Sequence, residues 1–138
     1  MTDHQQEFLD DLNIIEDPQE RLTIVVDRAR RHAPLSETER TDVNRVPGCI
    51  SQVWLISELL DGRCHFRCDA DGPLVKGLVA LLSDFFSDTS PAETAITEAD
   101  PLAELGLLKN LSPTRQNGLT AVRAVIRSFA QSHHRTTA

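Results

Sequence analysis

Apolar positions recur every three to four residues along most of the chain and alternate with polar ones only in its middle, so the pattern predicts helices around a short run of strands. Phe8, Leu9, Leu12, Ile14 and Ile15 predict an amphipathic helix over residues 5–15. Asp17-Pro18-Gln19-Glu20 predicts the next helix start, with Asp17 as N-cap, Pro18 at the first helical position and Glu20 three residues after the cap. That helix runs to about His32 and buries Leu22, Val25, Val26 and Ala29. Pro34 ends it, Ser36 to Arg40 forms a polar turn, and Thr41 to Val46 reads as a first strand.

Gln52 to Leu59 reads as a second strand. Val53, Leu55 and Leu59 share one parity and Trp54 and Ile56 the other, so both faces are partly covered. Asp61-Gly62 is a hairpin signal, and Arg63 to Asp69 returns with Cys64, Phe66 and Cys68 on one face. Asp71-Gly72-Pro73 opens a third helix with a broad apolar face from Leu74 to Phe86, on which the small Gly77 and Ala80 allow close approach to the sheet. Ser90-Pro91-Ala92-Glu93 starts another helix, Asp100-Pro101 and Gly106 bracket a short one, and Ser112-Pro113 opens the last, whose polar tail frays from Ser132. Contiguous strands with segregated helices give an α+β fold: a three-stranded antiparallel sheet flanked by helices.

The 138 residues suit one domain spanning 1–138, and there is no internal repeat or dividing linker. A net charge of −7 opposes nucleic-acid binding. The one basic cluster, Arg28 to His32, falls late in a predicted helix, where cations complement the dipole. No apolar run approaches the roughly 20 residues of a membrane span, and the N-terminus lacks a secretion signal, so a cytoplasmic location is expected. An odd count of three cysteines argues against a disulfide framework and for reduced thiols.

Among those thiols Cys49 stands apart. Pro47-Gly48 predicts a tight loop that delivers it to the head of an apolar strand, at one end of the sheet. Cys64 and Cys68 invite a zinc reading with Cys49 and His65. Four residues along a strand place them roughly 13 Å apart, however, too far to share one ion, and their common parity with Phe66 makes them core thiols. His65 has the opposite parity and is expected at the surface or an edge, while His133 and His134 fall in the tail. A Cys-His hydrolase stays open, although no signature around Cys49 supports one.

Gly48-Cys49-Ile50-Ser51-Gln52-Val53-Trp54-Leu55 resembles the cysteine-loop signature of the SufE family. Asp69-Ala70-Asp71-Gly72-Pro73-Leu74-Val75-Lys76-Gly77-Leu78 resembles its Asp-rich turn and following helix, and Leu111 to Leu119 resembles its C-terminal Ser-Pro block. Order and spacing hold over residues 45–119. Two departures are Ile50, where Gln is common, and Ala70-Asp71-Gly72-Pro73, where Ser-Asp-Ala is common; both bear on partner choice.

The resemblance implies the fold shared with IscU-type scaffolds and a sulfur acceptor that activates a cysteine desulfurase, SufS-like or CsdA-like. Cys49 would carry the sulfur as a persulfide and relay it to a SufBCD-like iron-sulfur scaffold. Such a protein is a persulfide-carrying partner rather than a stand-alone enzyme. It needs no metal or cofactor of its own, pyridoxal phosphate belonging to the desulfurase. Asp71 and Arg115 match positions near the partner surface in the family, but each has a structural reading too: Asp71 as a cap of the third helix, Arg115 as a partner of a loop carbonyl or carboxylate. The alternative function is a docking adaptor that activates the desulfurase without carrying sulfur.

Overall fold

The computed structural model describes residues 1–48, 52–109 and 111–137. Its elements are α1 (Asp3–Asn13), α2 (Pro18–Arg31), β1 (Val53–Leu60), β2 (Arg63–Ala70), α3 (Pro73–Phe86), α4 (Pro91–Ile96), α5 (Pro101–Glu104) and α6 (Pro113–Thr137). The cap residues decide most of the helix starts. Asp17, Ser90 and Asp100 each accept a backbone N–H of the first turn that follows, and proline occupies the opening helical position in all three cases. α1 begins earlier than its apolar pattern suggests, because Thr2 and Gln5 cap one another reciprocally. At its other end Ile14 caps the helix and is exposed rather than packed.

β1 and β2 pair antiparallel in a hairpin closed by Asp61 and Gly62, both with positive φ, as a tight primed turn requires. Among the described residues the sheet has two strands, not three. The expected first strand is reduced to one bridge, Arg45 to Trp54, with Val46 N–H donating to Val53 O and Leu55 N–H to Asn44 O. The pairing stops there because Asn44 N–H, which would otherwise face Leu55 O, is spent on a local turn to Thr41 O. On the far side of the hairpin, Thr89 bridges Cys64 and the Ser87 hydroxyl accepts Phe66 N–H, so the outer edge of β2 is covered.

α3 is the hub. It is buried from Gly77 to Ser83 and packs against α2 on one side and β2 on the other. Gly77 serves the helix pair rather than the sheet: a Cβ built on it would lie 2.4 Å from Val25 O. The core is continuous, joining Leu9 and Val25 from the first helices, Val53, Leu55 and Phe66 from the hairpin, and Val122 and Ile126 from α6. α6 runs on past Ser132 to Thr137, where fraying was expected.

Candidate functional site

The cysteine expected to carry the chemistry, Cys49, lies outside the described residues, so the site is defined by what surrounds the connection 47–52. Both ends of that connection are held by backbone bonds. Val46 N–H donates to Val53 O at 2.8 Å on one side, and Asp71 N–H donates to Gln52 O at 3.0 Å on the other. Gly48 adopts φ +85°, a region glycine enters without a Cβ penalty, and faces Ala121 of α6: a Cβ added there would sit 3.8 Å from Ala121 Cβ.

Beside this connection opens a cavity of about 190 Å³, lined mainly by apolar side chains. Val53 contributes from the head of β1, Val75 and Leu78 from α3, and Arg115, Gly118 and Leu119 from α6. Arg115 is the cationic residue among them. Its backbone N–H is accepted by the Ser112 hydroxyl at the start of α6, its side chain is exposed, and among the described residues it has neither the carbonyl nor the carboxylate partner that a structural role would require.

Asp71 is likewise exposed. It does not cap α3: the N-cap is Gly72, at φ +85°, with no side-chain capping bond. Asp71, between β2 and α3, bonds one end of the connection through its backbone N–H to Gln52 O, while Arg115 of α6 lines the cavity headed by Val53.

The remaining thiols are out of reach. Cys64 is 0% exposed and Cys68 1%, both on the core side of β2 opposite Leu59 and Leu55. Burial pushes the Cys64 thiol above its ordinary pKa despite a hydrogen bond with Thr94, which leaves it a poorer nucleophile. His65 is half-buried on the opposite face. His133 is within hydrogen-bond distance of Phe129 O and packs on the Phe129 ring. Among the described residues no three His, Cys, Asp or Glu side chains cluster as a metal site would need.

Two polar clusters went unnoticed in the sequence. Arg28 and His32 converge on Asp84 of α3, at 2.6 and 3.0 Å, so these two members of the basic cluster tie α2 to α3 rather than simply facing the helix dipole. The hydrogen bond with Asp84, and a second with Cys68, raise the His32 pKa to about 9 against the opposing effect of burial. Asp69 of β2, 3% exposed, accepts from Leu35 N–H at 3.0 Å, Ala70 N–H at 2.9 Å and the Arg40 guanidinium, with Lys76 Nζ 3.6 Å away. Burial alone would raise its pKa, but these donors outweigh it and hold the carboxyl below its ordinary value.

The fold has a close counterpart in the solution structure of a hypothetical protein from Thermus thermophilus, with a TM-score of 0.76 over 94% of each chain at 17% identity. Residues 6–130 match the family model for SufE, described as an Fe-S metabolism associated domain. An uncharacterized SufE-like protein of Rhizobium meliloti (strain 1021) is 32% identical over 130 residues, covering 91% of this chain and 93% of the relative. One from Rhizobium etli is also 32% identical over 130 residues, covering 91% and 88%. A third, from Synechocystis, is 35% identical over 102 residues, covering 74% of this chain and 64% of the relative. With a family model spanning most of its length and relatives above 30% identity, the chain belongs to the SufE family.

Proposed function

We propose that this chain is a cytoplasmic sulfur acceptor for a cysteine desulfurase and that Cys49 is the accepting thiol. The observation that carries the reading is the sealing of Cys64 and Cys68 in the core of a SufE-family chain, which leaves Cys49 as the thiol for a partner. In the transfer the Cys49 thiolate attacks the outer sulfur of the desulfurase persulfide. The sulfur-sulfur bond of that persulfide breaks, the desulfurase cysteine leaves as a thiolate, and a persulfide forms on Cys49. No redox equivalent is consumed, and neither a metal nor a general base on this chain is required. The same exchange, with an iron-sulfur scaffold of the SufBCD type as acceptor, returns Cys49 to its thiol.

The surroundings support this chemistry. Backbone bonds at Val46 and Gln52 fix the two ends from which the connection springs, and so reduce the entropy lost when a partner's active site engages it. Asp71 and Arg115, both exposed and both bordering the connection, are the residues we assign to docking. Sulfide release by a cysteine desulfurase, read together with intact mass, tests the reading. Wild-type protein and a Cys64→Ser plus Cys68→Ser variant are expected to stimulate release and to gain about 32 Da per sulfur carried. Cys49→Ser is expected to do neither. Stimulation that survives Cys49→Ser would instead establish a docking adaptor that carries no sulfur.

A further inference from the structure

Asp69 sits directly across the hairpin from Trp54, and Arg45 bridges Trp54 from the other side, so the three form one row across the sheet. By strand parity Asp69 belongs with Arg63, His65 and Arg67 on the polar face, yet it is 3% exposed. Its cover is the chain between α2 and β1. Leu35 N–H donates to Asp69, and the Arg40 guanidinium reaches the same carboxylate oxygen while lying 5.4 Å from the centre of the Trp54 ring. Glu39 pairs with Arg67 at 2.7 Å on the same face, and Asn44 Nδ2 donates to Glu39 O. Residues 35–46 thus cross the hairpin as an arm pinned at Leu35 and Arg40, and their last residue, Val46, leads straight into the 47–52 connection.

A buried carboxylate is costly unless paired, and two of the donors to Asp69 come from this arm. Arg40 adds a planar group stacked on an aromatic ring and bonded to the carboxylate, which lysine cannot reproduce in full. The backbone bonds at Asn44 and Val46 then carry the position of the arm to β1 at the mouth of the connection. We infer that Asp69 and Arg40 are positioning residues, a polar latch that fixes the entry to the connection bearing Cys49. The inference rests on the reading of Cys49 as the transferring thiol for its consequence in sulfur transfer, but not for the latch itself.

A latch of this kind makes a prediction that a general stabilising role does not. The test is the alkylation rate of each cysteine in the intact protein with iodoacetamide, resolved by peptide mass, for wild type, Arg40→Lys, Arg40→Ala and the double variant Asp69→Asn/Arg40→Ala. The double variant removes the pair without leaving the Asp69 carboxylate buried and short of its arginine, and Lys76, 3.6 Å from that carboxylate, keeps its hydrogen bond to His32 O; this guards against the single truncation failing to fold. The expected result is a gain of about tenfold in the Cys49 rate in the double variant, with Cys64 and Cys68 unchanged and Arg40→Lys intermediate. In the desulfurase assay the same variant should need about tenfold more protein for half-maximal stimulation, with the maximal rate retained.

An unchanged Cys49 rate in the folded double variant overturns the latch, and so does a parallel gain at all three cysteines, which would make the pair a clamp on the whole core. Alkylation needs no desulfurase. A selective change at Cys49 in a protein that accepts no sulfur would therefore keep the latch and sink the relay.

Discussion

His32 shows how a single residue can be read only in its folded surroundings. Its side chain, 19% exposed, is held by Asp84, and its pKa of about 9 stands above the ordinary 6.5. Folding therefore takes up a proton in the window between these values. The stabilisation is complete below pH 6.5 and is lost as pH rises through about 9. We expect urea unfolding to report a loss of about 1–3 kcal/mol between pH ~6.5 and pH ~10, and His32→Gln to flatten that slope. Asp84 works in the opposite direction. Burial raises its pKa, but His32 and Arg28 outweigh burial and leave it below the ordinary carboxylate value, so its contribution is lost only in acid. Nothing in the sequence between Arg28 and Asp84 announces this pairing, because 52 residues separate the histidine from its carboxylate.

At the scale of elements the decisive contact is α2 against α3. Gly77 lies where an added Cβ would meet Val25 O at 2.4 Å and Val26 Cα at 3.2 Å, both backbone atoms that cannot rotate away. Alanine at this position gains helix propensity, at most about 1 kcal/mol, but must push the two helices apart. The net expectation for Gly77→Ala is a loss of about 1–3 kcal/mol, measured as a lower urea midpoint at unchanged slope; a midpoint at or above wild type would refute the close approach. The small residue itself was legible in the apolar helix, but its neighbour was not: periodicity gives the face of a helix, not the element that covers it. The hairpin was legible in both respects, since Asp61-Gly62 sets the turn, and the turn sets the register that places Cys64, Phe66 and Cys68 on the buried face.

Across the whole molecule, one core joins α1, the hairpin and α6. The N-terminal helix is tied in by Leu9 and by Gln5, whose amide donates to Phe85 O at 3.0 Å inside the protein. A chain so connected should unfold as a unit. Leu9→Ala is expected to cost about 2–4 kcal/mol, and Trp54 fluorescence and far-UV circular dichroism should lose their signals at the same urea concentration. Two separated transitions would show that α1 and α2 detach from the hairpin and later helices. No helix among the described residues is long and apolar enough to cross a membrane.

The sequence by itself determined the local features, namely the helix starts at Asp17, Ser90 and Asp100, the hairpin turn and the core faces, since caps, turns and periodicity depend on neighbours within a few residues; the family was legible separately, in the resemblance of its motif blocks. Tertiary structure decided the rest. The expected first strand shrank to the bridge at Arg45 because a local turn to Thr41 O claimed the N–H of Asn44. Asp69, polar by parity, became buried because residues 35–40 fold over it, and Asp71 gave up the cap of α3 to Gly72. In each case the outcome depended on which segment of the folded chain meets a given hydrogen-bonding group or open face, and a one-dimensional pattern does not carry that information.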